Sequence, residues 1–527
     1  MSLDPTVGIV GGGPCGLMTA LLLARGGVKC VVFEKRPGTS THPKAMGVSR
    51  RTSEIYRQLG LIDRITEGSL SRGDRSLAIW SRTLVGEELG RVPYTQEFSE
   101  FTPCTGLHCP QTWTEKVLFD AVAAESNAEV KFNCEVLNIA PSDESVRLTL
   151  PGEQVLEVHW VVAADGAGSA IRHQLEVETD GPGDMGHFLN VMFRADYGPR
   201  LEGRRAILYP TFTDDNLEFF VAIDGTDLWL MHHFLQPGET AADFPSGRLQ
   251  SIVVKASGLP NVPVQILSVM PWVMSPKVAR RYRIGRIFLV GDAAARLSPT
   301  GGLGLNTGLQ GAHNLAWKLA AVVNGRARDS LLDTYQEERR DAAFWTMQNT
   351  NRNADEIMDI SASAMEEDWD RVRQLIGQSR RRGGALGQDL GIGYKQGAFV
   401  PDGTVAPELE DPINDYRPAA RPGSRAPHLL IERQGTRLSI LDLFGDRFVL
   451  LLGSDCQFAK ADINWLDVLQ NQRDFVAGSF EKIYGMTGTG AVLVRPDGYV
   501  GARWERFDGG SKEQVKAALD KILWGLE

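Results

Sequence analysis

Three stretches of this chain run as strand-forming residues and then stop at a carboxylate. "VKCVVFE" ends on Glu34, "HWVVAADGAG" turns at Asp165-Gly166, and "RIFLVGDAAA" turns at Gly291-Asp292. The first is the most complete. "TVGIVGGGPCGLMTALLLARGGVKCVVFEKRPG" reads as a strand, a tight turn, a helix and a second strand. Gly11, Gly13 and Gly16 fit the GxGxxG spacing: Gly11 permits the turn, Gly13 lets the backbone approach a pyrophosphate, and Gly16 lets the helix pack close to the strand. The phosphates then sit at the positive N-terminus of the helix, beside Pro14 and Cys15. Glu34, with Lys35 next to it, can accept hydrogen bonds from both hydroxyls of an adenosine ribose. It would repel a 2′-phosphate, so the site favours FAD or NAD over NADP.

The third stretch continues as "GDAAARLSPTGGLGLNTGLQGAHNLAWKL". Asp292 ends its strand where it could bond the sugar-like chain of a flavin. Pro299 fixes a turn, and Gly301, Gly302 and Gly304 clear space for a flat ring. A helix beginning near Leu305 and Asn306 aims its free N–H groups at that ring, where reduced flavin carries negative charge. No second GxGxxG is present. The middle stretch contributes Asp165, Gly166 and, about a turn of helix later, Arg172.

Together these motifs resemble the class A flavoprotein aromatic hydroxylases, the p-hydroxybenzoate hydroxylase fold. "HPKAMGVSRRTSEIYRQLGL" and "CPQTWTEKVL" match as well, with Gln111 where the family places a glutamine on the flavin side chain. The tail pieces "RPGSRAPH", "LDLFGDRFVLLLG" and "VLVRPDGYVGAR" resemble the phenol and 2,4-dichlorophenol hydroxylase branch, which adds a thioredoxin-like domain. The resemblance implies an α/β fold with a Rossmann-type FAD-binding domain, a β-sheet substrate domain and that C-terminal domain. It implies bound FAD, with NAD(P)H and O₂ as co-substrates and a flavin C4a-hydroperoxide that hydroxylates a phenolic or polycyclic aromatic substrate. Baeyer–Villiger insertion or epoxidation in secondary metabolism is the alternative use of the same oxidant.

The chain departs from the family pattern at four places. Ala295 stands for the usual His, Gly311 for Asp and Lys44 for Arg. Met46 stands where phenol hydroxylases carry an acid. Lys44 keeps a charge toward the cofactor without a guanidinium fork.

The elements that must position these residues follow in order. Residues 1–180 form the first part of the FAD domain and 276–410 the second. Between them, 181–275 reads as strands, "FLNVMFRADY", "RRAILYPT", "NLEFFVAI" and "DLWLMHHFL", expected to make a sheet over the flavin face. Residues 305–355 read as helical, 378–388 as a basic loop, 405–427 as a linker, and 421–527 as the thioredoxin-like domain. That domain has a single cysteine, Cys456, and so lacks a dithiol, which leaves it a packing or homodimer-contact role. On the expected sheet, Tyr209, His232 and His233 are the candidates to act on the substrate, with Pro299 from the flavin loop. Side chains alternate along a strand, so only one of the two histidines can face a pocket.

Composition sets the remaining bounds. The chain has 527 residues, 43% hydrophobic and 23% charged, which suits several soluble domains. A net charge of -10 argues against a nucleic-acid partner. Six scattered cysteines without CxxC or zinc spacing suit a reducing compartment and give no expected metal site. No signal-peptide pattern or spanning apolar run is seen, so a cytoplasmic enzyme with a small aromatic substrate and no membrane partner is expected.

Overall fold

The computed structural model describes residues 5–71, 73, 77–93, 98–213, 216–379, 384–433, 435–456, 458, 465–470, 479–507 and 511–526. In the basic loop at 378–388, Arg380, Arg381, Arg382 and Gly383 lie outside the described residues.

The runs VGIV, CVVF, WVVA and IFL are apolar without alternation, the pattern of strands buried on both faces. They form the centre of a six-stranded sheet ordered Arg283–Ile284, Ile287–Leu289, Trp160–Ala163, Val7–Val10, Cys30–Phe33, Ala128–Lys131. Every pair is parallel except the outermost, Arg283–Ile284. Parallel pairing has a direct consequence for function. Val10 lies opposite both Phe33 and Ala163, and Ala163 lies opposite Leu289. The three strands that carry carboxylates therefore end at one edge. The helices Pro14–Arg25, Gln111–Ala123 and Gly304–Val323 pack together on one side of this sheet.

A second sheet has seven strands, ordered Gln265–Met274, Gly186–Arg194, Leu228–Leu235, Leu217–Ala222, Leu208–Phe212, Leu77–Ser81, Glu88–Pro93. Its alternating side chains give it two faces. One face packs on the helix Ser246–Ser257, with Leu189, Val191, Phe193, Leu249 and Val253 in a common core. The other faces a cavity. The sequence reading of 181–275 as strands omits that helix and the long strand Gln265–Met274. It also omits two strands that come from inside 1–180. Leu77–Ser81 joins by pairing in parallel with Leu208–Phe212, a long-range match that no local pattern announces.

The tail holds a four-stranded sheet ordered Leu466–Gln470, Phe448–Leu452, Ala491–Val494, Val500–Trp504. Phe448, Leu450 and Leu452 face Val515, Leu519 and Ile522 of the last helix, while Val449 and Leu451 face Phe480 and Tyr484. Burial on both sides explains the unbroken apolar run FVLLL. Cys456 is buried, and none of the six cysteines forms a disulfide.

A fully buried ion cluster ties the tail to the rest. Arg495, just past strand Ala491–Val494, donates two parallel hydrogen bonds to Glu338 at 2.7 and 2.8 Å and also pairs with Asp497. Lys318 reaches Glu338 at 2.9 Å, and Asn314 donates to the same carboxylate at 2.6 Å. Two cations thus meet two anions, with the long helices Gly304–Val323 and Asp333–Met365 each supplying a side. Burial alone would raise the Glu338 carboxyl, but Arg495 and Lys318 outweigh it and hold it well below the usual range. Asp497 is lowered against its burial in the same way by Arg495.

Removing one member of such a cluster strands the others. Arg495→Met is expected to cost about 3–5 kcal/mol, and adding Glu338→Met to recover part of it. The urea unfolding midpoint checks both. Because the folded carboxyl pKa values are depressed, this stabilisation is intact at neutral pH. It is lost as pH falls below the ordinary carboxylate value of about 4, where the unfolded chain takes up protons first.

Candidate cofactor and substrate site

A cavity of about 1690 Å³ runs from the strand ends of the first sheet to the free face of the second. One drug-sized ligand fills roughly 300–1,000 Å³, so this space suits two molecules end to end.

Its first part is backbone. Gly11 has φ +108°, and a Cβ there would lie 2.3 Å from the Ala164 carbonyl oxygen. A Cβ on Gly16 would lie 2.0 Å from the carbonyl oxygen of Gly11. Gly13, by contrast, meets nothing within 4 Å; its bare backbone faces the space where a ligand's phosphates would lie. Pro14 and Cys15 open the helix there and also line the cavity. Glu34 is fixed by two backbone donors, Gly12 N at 2.8 Å and Arg36 N at 2.9 Å, one on each carboxylate oxygen. Each oxygen keeps a second lone pair for a ligand hydroxyl. Lys35 stands at the rim, 3.8 Å from Glu135.

The middle part gathers charge. Asp165 accepts from Ile171 N through one oxygen at 3.2 Å, while its other oxygen is buried without a partner among the described residues. Gly166 beside it has φ +84°, so this turn requires glycine. An orphaned buried carboxylate oxygen is costly unless a ligand or water donates to it. Asp292 faces the cavity from the turn after Ile287–Leu289. Burial raises its carboxyl above the usual range, against the opposing pull of Arg296, Lys44 and Arg172. Lys44 is itself lowered by burial and by nearby Arg36. Gln111 donates to Glu115 at 2.6 Å, and Glu115 accepts Ser40 N at 2.7 Å, so Gln111 is held in place at its helix start.

Arg172 corrects an expectation. It does not line the cavity. Its guanidinium donates to the carbonyls of Ala293 and Ala167 at 3.1 and 2.9 Å, stapling the Asp165 turn to the Asp292 turn. The local sequence could not reveal this, because Ala293 is brought near only by strand pairing.

The third part is the glycine loop. Pro299 lines the cavity and begins a tight turn in which its carbonyl accepts Gly302 N at 2.9 Å. Gly302 has φ +65° and Gly304 meets nothing within 4 Å. The helix Gly304–Val323 starts here, so the first-turn N–H groups, including those of Leu305 and Asn306, lie at the cavity wall. The Asn306 side chain is spent on protein: it accepts Ser49 N at 2.8 Å and donates to the carbonyls of Gly47 and Gly302 at 3.0 and 2.7 Å. Its side chain therefore shapes the slot by pinning strand Gly47–Val48 against the loop. Among the departures, Met46 is a buried wall residue packed with Val221 and Leu230. Ala295 pairs with Val278, and a Cβ on Gly311 would meet only the Tyr335 hydroxyl, at 3.5 Å.

The last part is an aromatic chamber on the second sheet. Phe188 and Trp272 stack at 4.5 Å with planes 12° apart, and His232 stands edge-on to Trp272 at 6.1 Å. His232 faces the cavity, whereas His233 turns to the other side and lies 2.8 Å from Glu218. Burial and the neighbouring His42 push the His232 pKa down to about 4. Tyr209 corrects a second expectation. It is buried on the opposite face, its hydroxyl accepting Ala206 N at 2.7 Å and donating to the Arg204 carbonyl at 2.9 Å, so it does not reach the substrate space. Phe188 and Asn190 are wall residues that the sequence reading did not assign, and Trp272 is a third wall residue. The alternation in "FLNVM" could have placed Phe188 and Asn190 on one face, but not said which face is hollow.

Fold and cradle together define a flavoprotein class: a parallel α/β sheet whose strand ends hold a dinucleotide, joined to a sheet that encloses a second ligand. The backbone cradle, the orphaned oxygen of Asp165 and the pinned Glu34 fit the phosphates and hydroxyls of FAD. Residues 4–350 match the FAD binding domain family, and residues 419–524 match the C-terminal domain of aromatic-ring hydroxylases. The chain belongs to the class A FAD-dependent aromatic hydroxylases and is an FAD-dependent monooxygenase. It is 32% identical to tetracenomycin A2 monooxygenase-dioxygenase of Streptomyces glaucescens, covering 98% of this chain and 96% of that one. The flavin-dependent monooxygenase PieE, solved with FAD and substrate, matches with a TM-score of 0.91 at 28% identity over 98% of this chain and 99% of that one. Aklavinone-11 hydroxylase, solved with FAD and aklavinone, matches with a TM-score of 0.85 at 28% identity over 99% of each chain.

Gly16→Ala is expected to strip the protein of FAD. The added methyl must move the Gly11 turn, at a cost on the order of 1–3 kcal/mol, which is about fivefold to a hundredfold in affinity. Glu34→Arg should weaken retention similarly. Flavin absorbance relative to protein after gel filtration checks both.

Proposed function

We propose that this chain hydroxylates a flat, polycyclic phenol held between the glycine loop and the second sheet. The size and lining of the chamber carry the reading: beyond the space for FAD it is walled by Phe188, Trp272, Phe219 and Met46, with His232 as a polar point. The named substrates of the relatives, tetracenomycin A2 and aklavinone, support a polycyclic ligand of this kind. FAD supplies the activation of O₂ with electrons from NAD(P)H. The chain's own residues bind, orient and exclude water. Phe188 and Trp272 offer a flat apolar wall, and Pro299, Gly302 and Gly304 line the part of the cavity where the flavin ring would be held.

His232 orients more than it ionises. A phenol has a pKa of about 10, so leaving its proton on an imidazole near pKa 4 is uphill by about 8 kcal/mol. Neutral His232 can accept a hydrogen bond from a substrate hydroxyl and fix the ring's position. Met46 supplies no base nearby, which also suits a substrate that is never ionised, as in Baeyer–Villiger insertion. In the tail, the first strand pair is parallel and the next two antiparallel, an order that supports the thioredoxin-like reading.

A cognate phenol is expected to raise NAD(P)H oxidation several-fold and yield a product heavier by one oxygen. In His232→Phe, NAD(P)H oxidation should continue while product falls at least about tenfold, with hydrogen peroxide taking its place. Mass spectrometry with peroxide assay checks this. A product that opens on mild alkaline hydrolysis would instead mark a lactone and the insertion chemistry.

A further inference from the structure

The cavity does not end at the phenol chamber. Trp272 and Trp80 both line it, on strands of the second sheet with four others between them. Five strand spacings of about 4.8 Å put them roughly 24 Å apart across the sheet. The half around Trp80 is roofed by the helix Asp333–Met365. Asn349, Asn353, Ile357, Ser361 and Met365 recur every four residues along that helix, and all line the cavity. At 1.5 Å per residue the stripe is about 24 Å long. Near its start, Thr300 of the glycine loop donates to the Thr350 carbonyl at 2.6 Å. At its middle, Ile357 packs in one cluster with Leu217 and Trp80. At its end, Met358 and Met365 are exposed, so this arm of the cavity opens to solvent.

Polar side chains complete the arm. Gln388 and Asp389 line it from the short helix Leu386–Leu390, with Asp411 and Asn414 from a later loop. Gln388 N donates to the Ile413 carbonyl at 3.0 Å, and Asn414 accepts Ala385 N at 3.0 Å, so helix and loop form one unit. Two amides here are unsatisfied. Asn349 is 2% exposed; its oxygen accepts from Arg352, which fixes the amide's orientation, and its Nδ2 is buried without a partner among the described residues. Gln388 is 6% exposed, and its Nε2 is orphaned in the same way. Buried donors of this kind call for an acceptor from a ligand or water. The charge around them argues against an anion. Among the described residues lining the arm, Glu356, Asp389, Glu410 and Asp411 stand against Arg50 and Arg352, and Arg50 is paired with Asp389 at 2.7 Å. A neutral hydroxyl both accepts and donates, so it suits amides set among carboxylates.

We propose that this arm is a sugar site, and that the substrate is a glycoside of the polycyclic phenol. The proposal rests on the reading that the chamber takes a polycyclic phenol. The fused rings lie against Phe188 and Trp272, and the glycosyl group lies between the helix Asp333–Met365 and Gln388. Asn349 and Gln388 donate to the oxygens of the sugar, and the carboxylates beside them accept from its hydroxyls. The open end at Met358 and Met365 leaves room for a second sugar. A glycosyl transfer must then come before this hydroxylation, since the arm is filled only by a substrate that already carries its sugar.

The test titrates the FAD-loaded, oxidised protein with a dihydroxyanthraquinone, with its mono-β-glucoside and with its mono-α-rhamnoside, following the flavin absorbance. At least one glycoside should bind about tenfold or more tighter than the aglycone. Asn349→Leu and Gln388→Met, which keep side-chain volume, should each weaken that glycoside about fivefold while leaving the aglycone within about twofold. Should Asn349→Leu lose its FAD, Gln388→Met, on a separate element, carries the test. Aglycone binding as tight as that of both glycosides overturns the sugar site, as does an equal loss for aglycone and glycoside in the variants. Displacement of the glycoside by NAD⁺ or NADP⁺ assigns the arm to the dinucleotide and overturns it too. Wild-type protein that binds none of the three probes overturns the polycyclic reading, and the sugar site with it.

Discussion

Backbone pressed against backbone is the constraint on which this molecule depends. The turn at Gly11 lies against the Ala164 carbonyl, and the helix that follows lies against Gly11 itself, with no room for a methyl group in either place. A Cβ on Gly291 or on Gly308 would lie 2.9 or 2.6 Å from the Cys15 sulfur, so the third strand end and the second helix close on the first helix just as tightly. Parallel pairing brings these ends to one edge, and missing side chains let them converge. A cofactor with two phosphates and a ribose needs many donors within a short span, and only bare backbone offers them at that density.

The substrate side obeys a different rule. There the sheet is largely antiparallel, one face gives its apolar residues to the helix Ser246–Ser257, and the other is lined by aromatic and thioether groups. Such a wall excludes water, which protects reactive species but leaves any proton nowhere to go. The few polar side chains admitted to that wall are therefore the informative ones. His232 is neutral because it is buried beside another histidine, and a neutral ring can align a hydroxyl without competing for its proton.

The tail belongs to the same body. Its Arg495 closes a buried cluster with Glu338, Lys318 and Asn314, and Arg425 makes a second buried pair with Glu54 on the helix Arg50–Gln58. Lys318 and Asn314 lie on the helix whose first turn borders the glycine loop. Opposite charges buried together at both ends of a contact favour one arrangement, since any slip leaves a charge without its partner.

The sequence by itself determined the turns at the strand ends. Gly11, Gly16, Glu34, Asp165, Asp292 and the glycine loop are tied to short, continuous strand–turn–helix units, so their spacing carries their geometry. It also determined that only one of His232 and His233 could face the cavity, because alternation along a strand is local. Only the tertiary structure decided which residues meet across the chain. It turned Tyr209 into the core, spent Arg172 and the Asn306 side chain on joining turns, made Trp272 a wall, and drew Leu77–Ser81 into the second sheet. Those outcomes depend on long-range pairing and on which sheet face is left hollow, and a linear pattern holds neither.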